Sequence, residues 1–325
     1  MNKTRWGILG TGNIAGQFAR ELGTLNSAKL VAVGSRSLEK ARAFGQKFEV
    51  PRCHGSYEEA ANDSEVDIVY IATPHSLHRD NTIMCLQAGK AVLCEKPLAI
   101  NEKQARQSID VARRKNLFLM EAMWMRFLPP MVQLRKMLAD GVIGKVKAVS
   151  ADLGFDMERN PASRLFDPSL GGGCLLDVGI YPISLATMIL GTPVDVSGEA
   201  CIGPTGVDEQ EAIAMSFEGG GLASLFAAIR TLTCQQAKIF GTEGSIHILS
   251  HWWKGGPMSI TAGERKWEMN VPIEGMGYQY EAEEANRCMQ SGKVQSDVMP
   301  WEESLTVLRA MDKLRESWGL RYPME

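Results

Sequence analysis

Glycines recur at a regular spacing near the start of the chain. The segment reads Gly10, Thr11, Gly12, Asn13, Ile14 and Ala15, which fits the pattern Gly-x-Gly-x-x-Gly/Ala. Gly10 permits a tight turn, Gly12 lets the backbone approach a pyrophosphate, and Ala15 lets a helix pack close to the preceding strand. Because the turn follows an apolar run and opens a helical pattern, helix N–H groups would face the phosphates. The pattern predicts a dinucleotide site, and the alternative is an incidental glycine-rich turn.

The segment after the second apolar run carries a positive charge. That run ends at Gly34, and Ser35, Arg36 and Ser37 follow it. A site for NAD(H) usually has Asp or Glu here, where the carboxylate binds the ribose hydroxyls. Arg36 can instead bind the 2′-phosphate of NADP(H) through charge-assisted hydrogen bonds, with Ser35 or Ser37 as a further donor. The sequence therefore favours NADP(H) over NAD(H), and the alternative is a solvated arginine at a strand end.

A charged pair and a proline follow the apolar run 91–94, at Glu95, Lys96 and Pro97. Ligands of open parallel sheets bind outside the carboxyl ends of the strands, where Lys96 would lie. A partly desolvated lysine at that place can hydrogen-bond a substrate oxygen and stabilise a developing alkoxide. Taken alone, these residues are equally consistent with an ordinary surface lysine.

Asp177 and Tyr181 lie four residues apart in an apolar segment that follows three consecutive glycines, 171–173. A helix would bring both side chains to one face. An Asp in apolar surroundings must be paired or near water, and Pro182 can loosen the helix beside the tyrosine. This spacing is as consistent with a hydrogen bond in a core as with catalysis.

Apolar runs and amphipathic stretches alternate over the first ~120 residues, which is typical of βαβ units and a parallel sheet. The predicted strands lack polar alternation, as buried strands do; they are Trp6–Leu9, Leu30–Gly34, Ile68–Thr73, Ala91–Cys94 and Phe118–Met123. Helices are predicted over 76–88 and 102–115. The second has Asn101 as N-cap and Gln104 three residues later, a capping-box arrangement.

From about Arg126 the pattern changes to strands joined by tight turns, with a hairpin at 219–221 and a long helix over 174–190. The sequence predicts an α/β chain: a doubly wound Rossmann domain over 1–124, and an α+β domain with a large, mostly antiparallel open sheet over 125–325. Two closing helices are expected, around 278–289 and 302–318.

The composition is that of an ordinary globular chain of 325 residues, long enough for two domains. With 35 Lys and Arg against 38 Asp and Glu, the net charge of −3 argues against nucleic acid as a partner. No apolar run approaches the ~20 residues of a membrane helix, so no membrane association is expected. The first residues lack a signal-peptide pattern, which predicts a cytoplasmic protein.

The seven cysteines are scattered without a Cys-x-x-Cys pair, which predicts reduced, mostly buried thiols. The histidines form two close pairs, His75/His78 and His247/His251, but the second pair lies on either side of a β-like run and has no acidic or cysteine ligands clustered near it. We therefore expect no metal site.

The motifs Gly10-x-Gly12-x-x-Ala15, Thr73-Pro74-His75 with His78, Glu95-Lys96-Pro97 and Asp177-x-Gly179-x-Tyr181 occur in this order. In these motifs and their spacing the chain resembles the glucose–fructose oxidoreductase / inositol dehydrogenase family over essentially its whole length. Segments 121–127 and 175–182 are most similar to its dimeric dihydrodiol dehydrogenases and NADP-dependent D-xylose dehydrogenases. Many relatives have His in place of Tyr181, and tyrosine is typical of this branch.

The resemblance implies an NADP-dependent oxidoreductase in which Lys96 is the catalytic lysine, Tyr181 the general acid/base, and Asp177 a polar neighbour that orients the site. It also implies a set of residues along the cofactor: Thr73, Pro74, His78, Glu95, Lys96, Trp124 and Arg126. His78 is equally well explained as an ordinary helix histidine. Tyrosine is a poor base at neutral pH because its pKa lies near ~10, and a nearby lysine cation would stabilise the phenolate.

The implied reaction is hydride transfer between the nicotinamide and a carbinol or carbonyl carbon of a sugar, cyclic polyol or trans-dihydrodiol. A non-catalytic, dinucleotide-binding regulator on the same fold is the alternative, although such a protein would need neither Lys96 nor Tyr181. Relatives that never release their cofactor hold it with an N-terminal arm. Only about four residues precede the first strand here, so we expect an exchangeable cofactor.

The sequence further predicts a homodimer, or a dimer of dimers, that buries the second sheet. The alternating strands leave one apolar face to cover, and Trp252 and Trp253 stand beside them. The alternative places both tryptophans in the core of the monomer. The loop 154–170, which contains Arg159 and Arg164, is expected to cover the substrate without revealing its identity.

Overall fold

The computed structural model describes residues 3–325 and divides the chain into two compact units. The first unit comprises the chain up to Phe127 together with Glu274–Ser304, and the second comprises Leu128–Ile273 with Leu305–Glu325. This division differs from the predicted single boundary after residue 124, because a late segment of the chain returns to the first unit. Trp6 Nε1, for example, donates to Asn286 Oδ1 at 3.1 Å. No local pattern in the sequence reports such a return.

A parallel sheet of six strands forms the centre of the first unit as described, in the order β3-β2-β1-β4-β5-β6. The strands are β1 (Thr4–Leu9), β2 (Ala28–Gly34), β3 (Arg52–His54), β4 (Ile68–Ile71), β5 (Ala91–Glu95) and β6 (Leu119–Ala122). All five predicted strands are confirmed. β3 was not predicted, because it has three residues and remains partly exposed at the sheet edge.

The helices of the first unit are α1 (Asn13–Leu22), α2 (Leu38–Phe48), α3 (Tyr57–Ala61), α4 (His78–Gln87), α5 (Glu102–Lys115) and α8 (Tyr278–Gln290). The predicted capping of α5 is confirmed, since Asn101 Oδ1 accepts the Gln104 N–H at 2.8 Å. The predicted helix over 76–88 is shorter, because His75–Leu77 forms a 3₁₀ turn before α4.

The second unit contains an eight-stranded sheet in its described residues, ordered β14-β13-β12-β11-β7-β10-β9-β8. The strands are β7 (Val146–Gly154), β8 (Pro193–Ile202), β9 (Asp208–Phe217), β10 (Leu222–Ala228), β11 (Ala237–Gly241), β12 (Gly244–Ile248), β13 (Met258–Ala262) and β14 (Arg265–Met269). All neighbouring pairs are antiparallel except β7 and β10. The prediction of a parallel sheet followed by a mostly antiparallel one is therefore confirmed.

The remaining helices are α6 (Pro129–Ala139), α7 (Ile180–Leu190) and α9 (Trp301–Trp318). The predicted continuous helix over 174–190 is wrong at its start, because Leu175–Gly179 forms a π-helical turn before α7 begins. A π turn adds a residue to the helical repeat, so side chains spaced four apart do not keep the alignment of an α-helix. The argument that Asp177 and Tyr181 share an α-helical face therefore fails.

Two further expectations are corrected in the second unit. Trp252 and Trp253 are 0% and 5% exposed, so they belong to the core of this unit and not to an uncovered face.

Pro168–Leu190 is long and apolar enough to cross a membrane, contrary to the expectation that no such run exists. However, 78% of its most apolar window is buried inside the structure, as in the core helix of a globular domain.

Candidate functional site

The glycine turn has the backbone geometry that the sequence predicted. Gly10 has a φ of +102°, and a Cβ there would lie 2.5 Å from the carbonyl oxygen of Ala72. Both the backbone conformation and the close contact therefore require glycine. Gly12 is the N-cap of α1 and makes no side-chain cap, and a Cβ on it would meet nothing within 4 Å. The first N–H groups of α1 therefore face open space. Thr11, Asn13 and Ile14 are all partly or fully exposed at this end.

A cavity of about 560 Å³ lies against the glycine turn. Its walls include Thr11, Gly12 and Asn13, with three cationic side chains, Arg20, Lys40 and Lys47, on α1 and α2. No acidic residue lies in the first turn of α1. Exposed N–H groups at a helix N-terminus together with three cations favour an anionic ligand, so the residues present fit a dinucleotide.

Substitution of the two glycines should separate folding from binding. We expect Gly12→Ala to leave the unfolding free energy within ~0.5 kcal/mol of wild type, because the new methyl group meets no atom. The same methyl group should weaken dinucleotide binding by ~10–200-fold, since it fills the space in front of α1. Gly10→Ala should instead lower stability, because its Cβ collides with the backbone at Ala72. Thermal unfolding and titration with dinucleotide would measure both effects, and unchanged binding by Gly12→Ala would contradict the assignment.

The segment after β2 presents a cation at the surface. Ser35 is buried, and its Oγ accepts the Ser37 N–H at 3.4 Å, while Ser37 in turn caps α2. Arg36 is exposed, and its guanidinium lies near the hydroxyl of Tyr57 on α3. Burial raises the pKa of Tyr57, and Arg36 opposes this rise. The Tyr57 contact, which the sequence did not indicate, holds the Arg36 side chain at the carboxyl end of the sheet.

His78 joins the loops that follow β4 and β5. Its Nδ1 lies 2.7 Å from the carbonyl oxygen of Pro97 and its Nε2 lies 2.9 Å from that of Thr73. Both oxygens can only accept, so both contacts are hydrogen bonds when the ring carries two protons. Asn81 Nδ2 also donates to Thr73 Oγ1, at 3.0 Å, and Pro74 is half-buried just before the 3₁₀ turn. His78 is fully buried, so it positions these loops through their backbone.

Lys96 follows β5 directly and is 9% exposed. Its backbone N–H donates to Glu95 Oε2 at 3.2 Å, and the buried Tyr70 hydroxyl donates to Glu95 Oε1. Glu121 accepts the Leu98 N–H at 2.9 Å and so holds the chain just beyond Lys96. Burial raises the pKa of Glu121. A glutamate in the apolar strand β6 was the signal by which sequence reasoning could have found this support.

A second buried acid approaches Glu95 from α8. Glu281 is fully buried, and burial, followed by the charge of Glu95, raises its pKa well above the usual range. The sequence did not indicate this contact, because about 185 residues separate the two glutamates. Tyr70, Glu95 and Glu281 thus form a buried cluster in the first unit, next to Lys96 in the chain through Glu95.

Trp124 and Arg126 lie in a 3₁₀ turn over Trp124–Phe127, and both are at most 5% exposed. The Trp124 ring lies 5.0 Å from that of Tyr278, and Arg126 Nη2 donates to Glu303 Oε1 at 2.5 Å. These contacts fix the turn on the returning segment of the chain. The predicted position of both residues along the cofactor stays a prediction.

In the second unit, Asp177 projects from the π turn and pairs with Arg164. Arg164 Nη2 lies 3.0 and 3.3 Å from the two carboxylate oxygens. A second arginine of the same loop, Arg159, makes two hydrogen bonds of 2.7 and 2.6 Å to Glu209. The loop expected to cover the substrate is thereby held at two points. Tyr181 lies in the first turn of α7, two residues beyond the π turn, and is half-buried.

The fold and the glycine turn define a Rossmann-type dinucleotide-binding protein with a second, open-sheet unit. The family model described as an oxidoreductase family with an NAD-binding Rossmann fold matches residues 4–123. The model described as the GFO/IDH/MocA C-terminal domain matches residues 131–247. The chain therefore belongs to the GFO/IDH/MocA oxidoreductase family, and the resemblance seen in its motifs is confirmed.

Similar proteins extend over the full length of the chain. Trans-1,2-dihydrobenzene-1,2-diol dehydrogenase of Xenopus tropicalis is 38% identical, over 98% of this chain and 99% of that protein. The mouse (Mus musculus) protein of the same name is 37% identical over 99% and 98%.

Among solved structures, a 3-ketoreductase from Actinomadura kijaniata with NADP and TDP-benzene has a TM-score of 0.86 at 25% identity, covering 97% of this chain and 98% of that one. An aldose-aldose oxidoreductase from Caulobacter crescentus has a TM-score of 0.89 at 24% identity, with 97% of each chain covered, and supports the fold alone. The chain is thus an oxidoreductase with an NAD(P)-binding Rossmann fold.

Proposed function

We propose that this protein is an NADP-dependent dehydrogenase that transfers a hydride between the nicotinamide and a carbinol carbon of a trans-dihydrodiol or a related cyclic sugar or polyol. The observation that carries the proposal is the presence of Lys96 and Tyr181 in a chain that is 38% identical, end to end, to a protein named trans-1,2-dihydrobenzene-1,2-diol dehydrogenase. A trans-dihydrodiol and a pyranose both present adjacent hydroxyls on a six-membered ring. This common feature defines the substrate class.

The preference for NADP(H) is supported by the charge around the glycine turn. Arg36 at the end of β2 and Lys40 on α2 are cations where a carboxylate would favour NAD(H). When bound, the nicotinamide accepts or donates the hydride, and the protein supplies position and electrostatic field.

The roles of the side chains follow from their chemistry. Tyr181 takes the hydroxyl proton of the substrate in the oxidative direction and returns it in the reductive direction. Lys96 binds the same substrate oxygen and stabilises negative charge on it. Asp177 holds Arg164 and so fixes the loop beside the π turn. His78, Glu121 and Glu95 act indirectly, because their contacts are to the loops on either side of Lys96.

The alternative from the sequence is a dinucleotide-binding regulator without turnover. The match to an oxidoreductase family and to proteins named as dehydrogenases favours the enzyme. A regulator also has no use for a tyrosine acid/base, so the presence of Tyr181 agrees with the enzyme.

A substrate panel tests the proposal. Purified protein would be assayed with NADP and with NAD against trans-1,2-dihydrobenzene-1,2-diol, D-xylose and D-glucose, by the absorbance of the reduced nicotinamide. We expect turnover with NADP on the dihydrodiol or a pyranose. Tight NADP binding without turnover on any of these, or on the corresponding ketones with NADPH, would favour the regulator.

The outer face of the second sheet supports a further proposal, a homodimer built on that face. Two register-paired rows cross adjacent strands: Ala214, Ser224, Ser150 and Lys238 in one, and Ser216, Leu222, Ala148 and Phe240 in the other. Leu222 and Phe240 are 58% and 42% exposed. The eight residues of these two rows are small or apolar except Lys238, and such a surface is typical of one that is covered.

Sedimentation should therefore detect a species at twice the 35.7 kDa monomer mass at micromolar concentration. Ser224→Arg, which places a second cation in the middle of the face, should shift the protein toward monomer. Gln46→Arg, on the exposed side of α2, should not. A wild-type protein that sediments only as monomer would contradict the dimer.

A further inference from the structure

Two buried carboxyl groups and a buried thiol lie close together behind the segment that carries Asp177. Cys174, Asp208 and Glu211 each offer an atom within 4.8 Å of the other two, and none is more than 1% exposed. Cys174 directly precedes the π turn Leu175–Gly179, whereas Asp208 and Glu211 lie at the start of β9. None of the roles given above uses these three residues.

The two carboxyl groups abut the backbone at both ends of the π turn. Asp208 Oδ2 accepts the N–H of Leu175, the first residue of the turn, at 2.5 Å. A Cβ on Gly173 would collide with Asp208 Oδ1, and a Cβ on Gly179 would collide with Glu211 Oε1. The glycines before and at the end of the turn therefore leave room for the carboxyls. The path of the turn depends on where Asp208 and Glu211 lie.

The cluster holds a proton. Atoms of Asp208, Glu211 and Cys174 lie within 4.8 Å of one another, and within residues 3–325 no hydrogen-bond partner reaches either Glu211 oxygen or Asp208 Oδ1. A carboxylate accepts hydrogen bonds and cannot donate them, so two ionised carboxylates here would repel each other without a donor between them. A proton on Glu211 resolves this arrangement, because its O–H can then donate toward Asp208.

The acidities of the three groups agree with that assignment. Burial, followed by the charge of Asp208, raises the pKa of Glu211 well above its usual range. Burial raises the pKa of Asp208 as well, but only to about 6, because the Leu175 N–H and other donors oppose it. Burial also raises the pKa of the Cys174 thiol. Asp208 is therefore the first of the two carboxyl groups to ionise, and the proton stays with Glu211.

The surrounding charges do not supply a substitute for the proton. The groups that face the cluster are Asp177 from the π turn, Arg315 from α9 and Tyr322 from the C-terminal segment. Arg315 already pairs with Asp312 and Glu325, each at 2.8 Å. A metal ion could also neutralise the acids, but a closed structural zinc site takes four protein ligands where this cluster supplies three.

We propose that Glu211 is a positioning residue for the reaction: its carboxylic acid group, held between Cys174 and Asp208, fixes the π turn from which Asp177 projects and which leads into Tyr181. π turns are rare and strained insertions that need support from the surrounding structure. This inference rests on the proposed function only for the role of Tyr181. The proton and its effect on the turn are properties of the second unit alone.

Hydrogen exchange tests the support of the turn without any substrate. Amides in peptides covering 171–181 should exchange at least ~10-fold faster in Glu211→Leu than in wild type, because the leucine cannot donate to Asp208. Glu211→Gln keeps a neutral donor of the same shape and should keep most of the protection. Glu264→Gln, in the exposed hairpin turn between β13 and β14, is the matched control and should change nothing. Equal protection in Glu211→Leu and wild type would overturn the proposal.

The pH dependence of unfolding tests the proton itself. Because the folded-state pKa of Glu211 lies above the unfolded value of ~4.3, the folded state binds the proton more tightly. Its contribution to stability is lost progressively as pH rises from that value toward the folded pKa. The difference in urea midpoint between Glu211→Gln and wild type should therefore become more positive between pH 5 and pH 8. The same difference for Glu264→Gln should not change with pH. A level difference for Glu211→Gln, or a stoichiometric metal ion in the purified protein, would overturn the proposal.

Turnover then links the turn to the reaction. We expect Glu211→Leu to lower kcat by up to ~10²-fold, the cost of a displaced catalytic group, with KM for NADP(H) unchanged and with Glu211→Gln losing far less. Equal losses in the two variants would contradict the positioning role. If wild type turns over no substrate, the proposed function fails, while the exchange and pH measurements still decide whether Glu211 holds its proton and the turn.

Discussion

Tyr181→Phe should lower kcat by ~10²–10⁴-fold, the usual contribution of a positioned general acid/base. Phenylalanine keeps the ring that packs at the start of α7 and removes only the hydroxyl that exchanges the proton with substrate. The affinity for NADPH should stay nearly unchanged, because the proposed contact of that hydroxyl is to the reacting oxygen. Steady-state kinetics with a good substrate, and separate titration with NADPH, would measure the two quantities.

A second tyrosine provides the matched control. Tyr280 is half-buried on α8, where its hydroxyl accepts the Glu274 N–H at 3.1 Å, and it has no proposed part in the reaction. Tyr280→Phe should therefore leave kcat unchanged. Turnover of Tyr181→Phe within about twofold of wild type would mean that the proton moves through another group, with Lys96 or Asp177 as the leading candidates.

Lys96→Met should also lower kcat. The fold-loss of kcat in the double variant, Lys96→Met with Tyr181→Phe, should be smaller than the product of the two single fold-losses. Residues that act on one oxygen behave as a unit, so removal of the second costs little once the first is gone. Independent, multiplicative losses would mean that Lys96 and Tyr181 act on different parts of the substrate.

Arg36→Ala should weaken binding of NADP(H) by ~10–100-fold, because a charge-assisted hydrogen bond to phosphate contributes ~1.5–3 kcal/mol. Binding of NAD(H), which lacks the 2′-phosphate, should change far less. Fluorescence titrations would give the dissociation constants, and the informative quantity is the constant for NAD(H) divided by that for NADP(H). In wild type this ratio should fall as the salt concentration rises, since Arg36 is exposed and salt screens exposed charges.

Arg42→Ala is the control for Arg36, because Arg42 is another exposed arginine on the nearby helix α2. It should leave the preference for NADP(H) intact. Equal weakening of both dinucleotides by Arg36→Ala would mean that Arg36 does not bind the 2′-phosphate, and the assigned cofactor preference would then lose its main support.

The sequence predicted the framework well where a local signal was strong. The capping box at Asn101 and Gln104 located α5, and buried apolar runs located five strands of the first sheet. The glycine motif predicted the turn at Gly10, and the structure gives the reason for glycine there: a positive φ and a close contact with a carbonyl oxygen. β3 escaped prediction, since three partly exposed residues at an edge carry too little apolar pattern.

Contacts between distant segments could not be predicted from local patterns. The π turn replaces an expected α-helical turn because Asp208, from a strand more than 30 residues later, binds the Leu175 N–H. Similarly, Tyr57 beside Arg36 and Arg164 beside Asp177 depend on how separate elements pack. Residue types therefore indicated which chemistry to expect, whereas the supports of the site required the fold.

Transfer of an isotopic label tests the central claim most directly. Wild-type protein would be incubated with NADP and D-xylose, or trans-1,2-dihydrobenzene-1,2-diol, deuterated at the carbinol carbon, and the reduced nicotinamide would be analysed by mass spectrometry. The account predicts that deuterium moves from the carbinol carbon of at least one of these substrates to NADPH. The label should move far more slowly in Tyr181→Phe. NADP bound without any transfer of deuterium from either substrate would contradict the account.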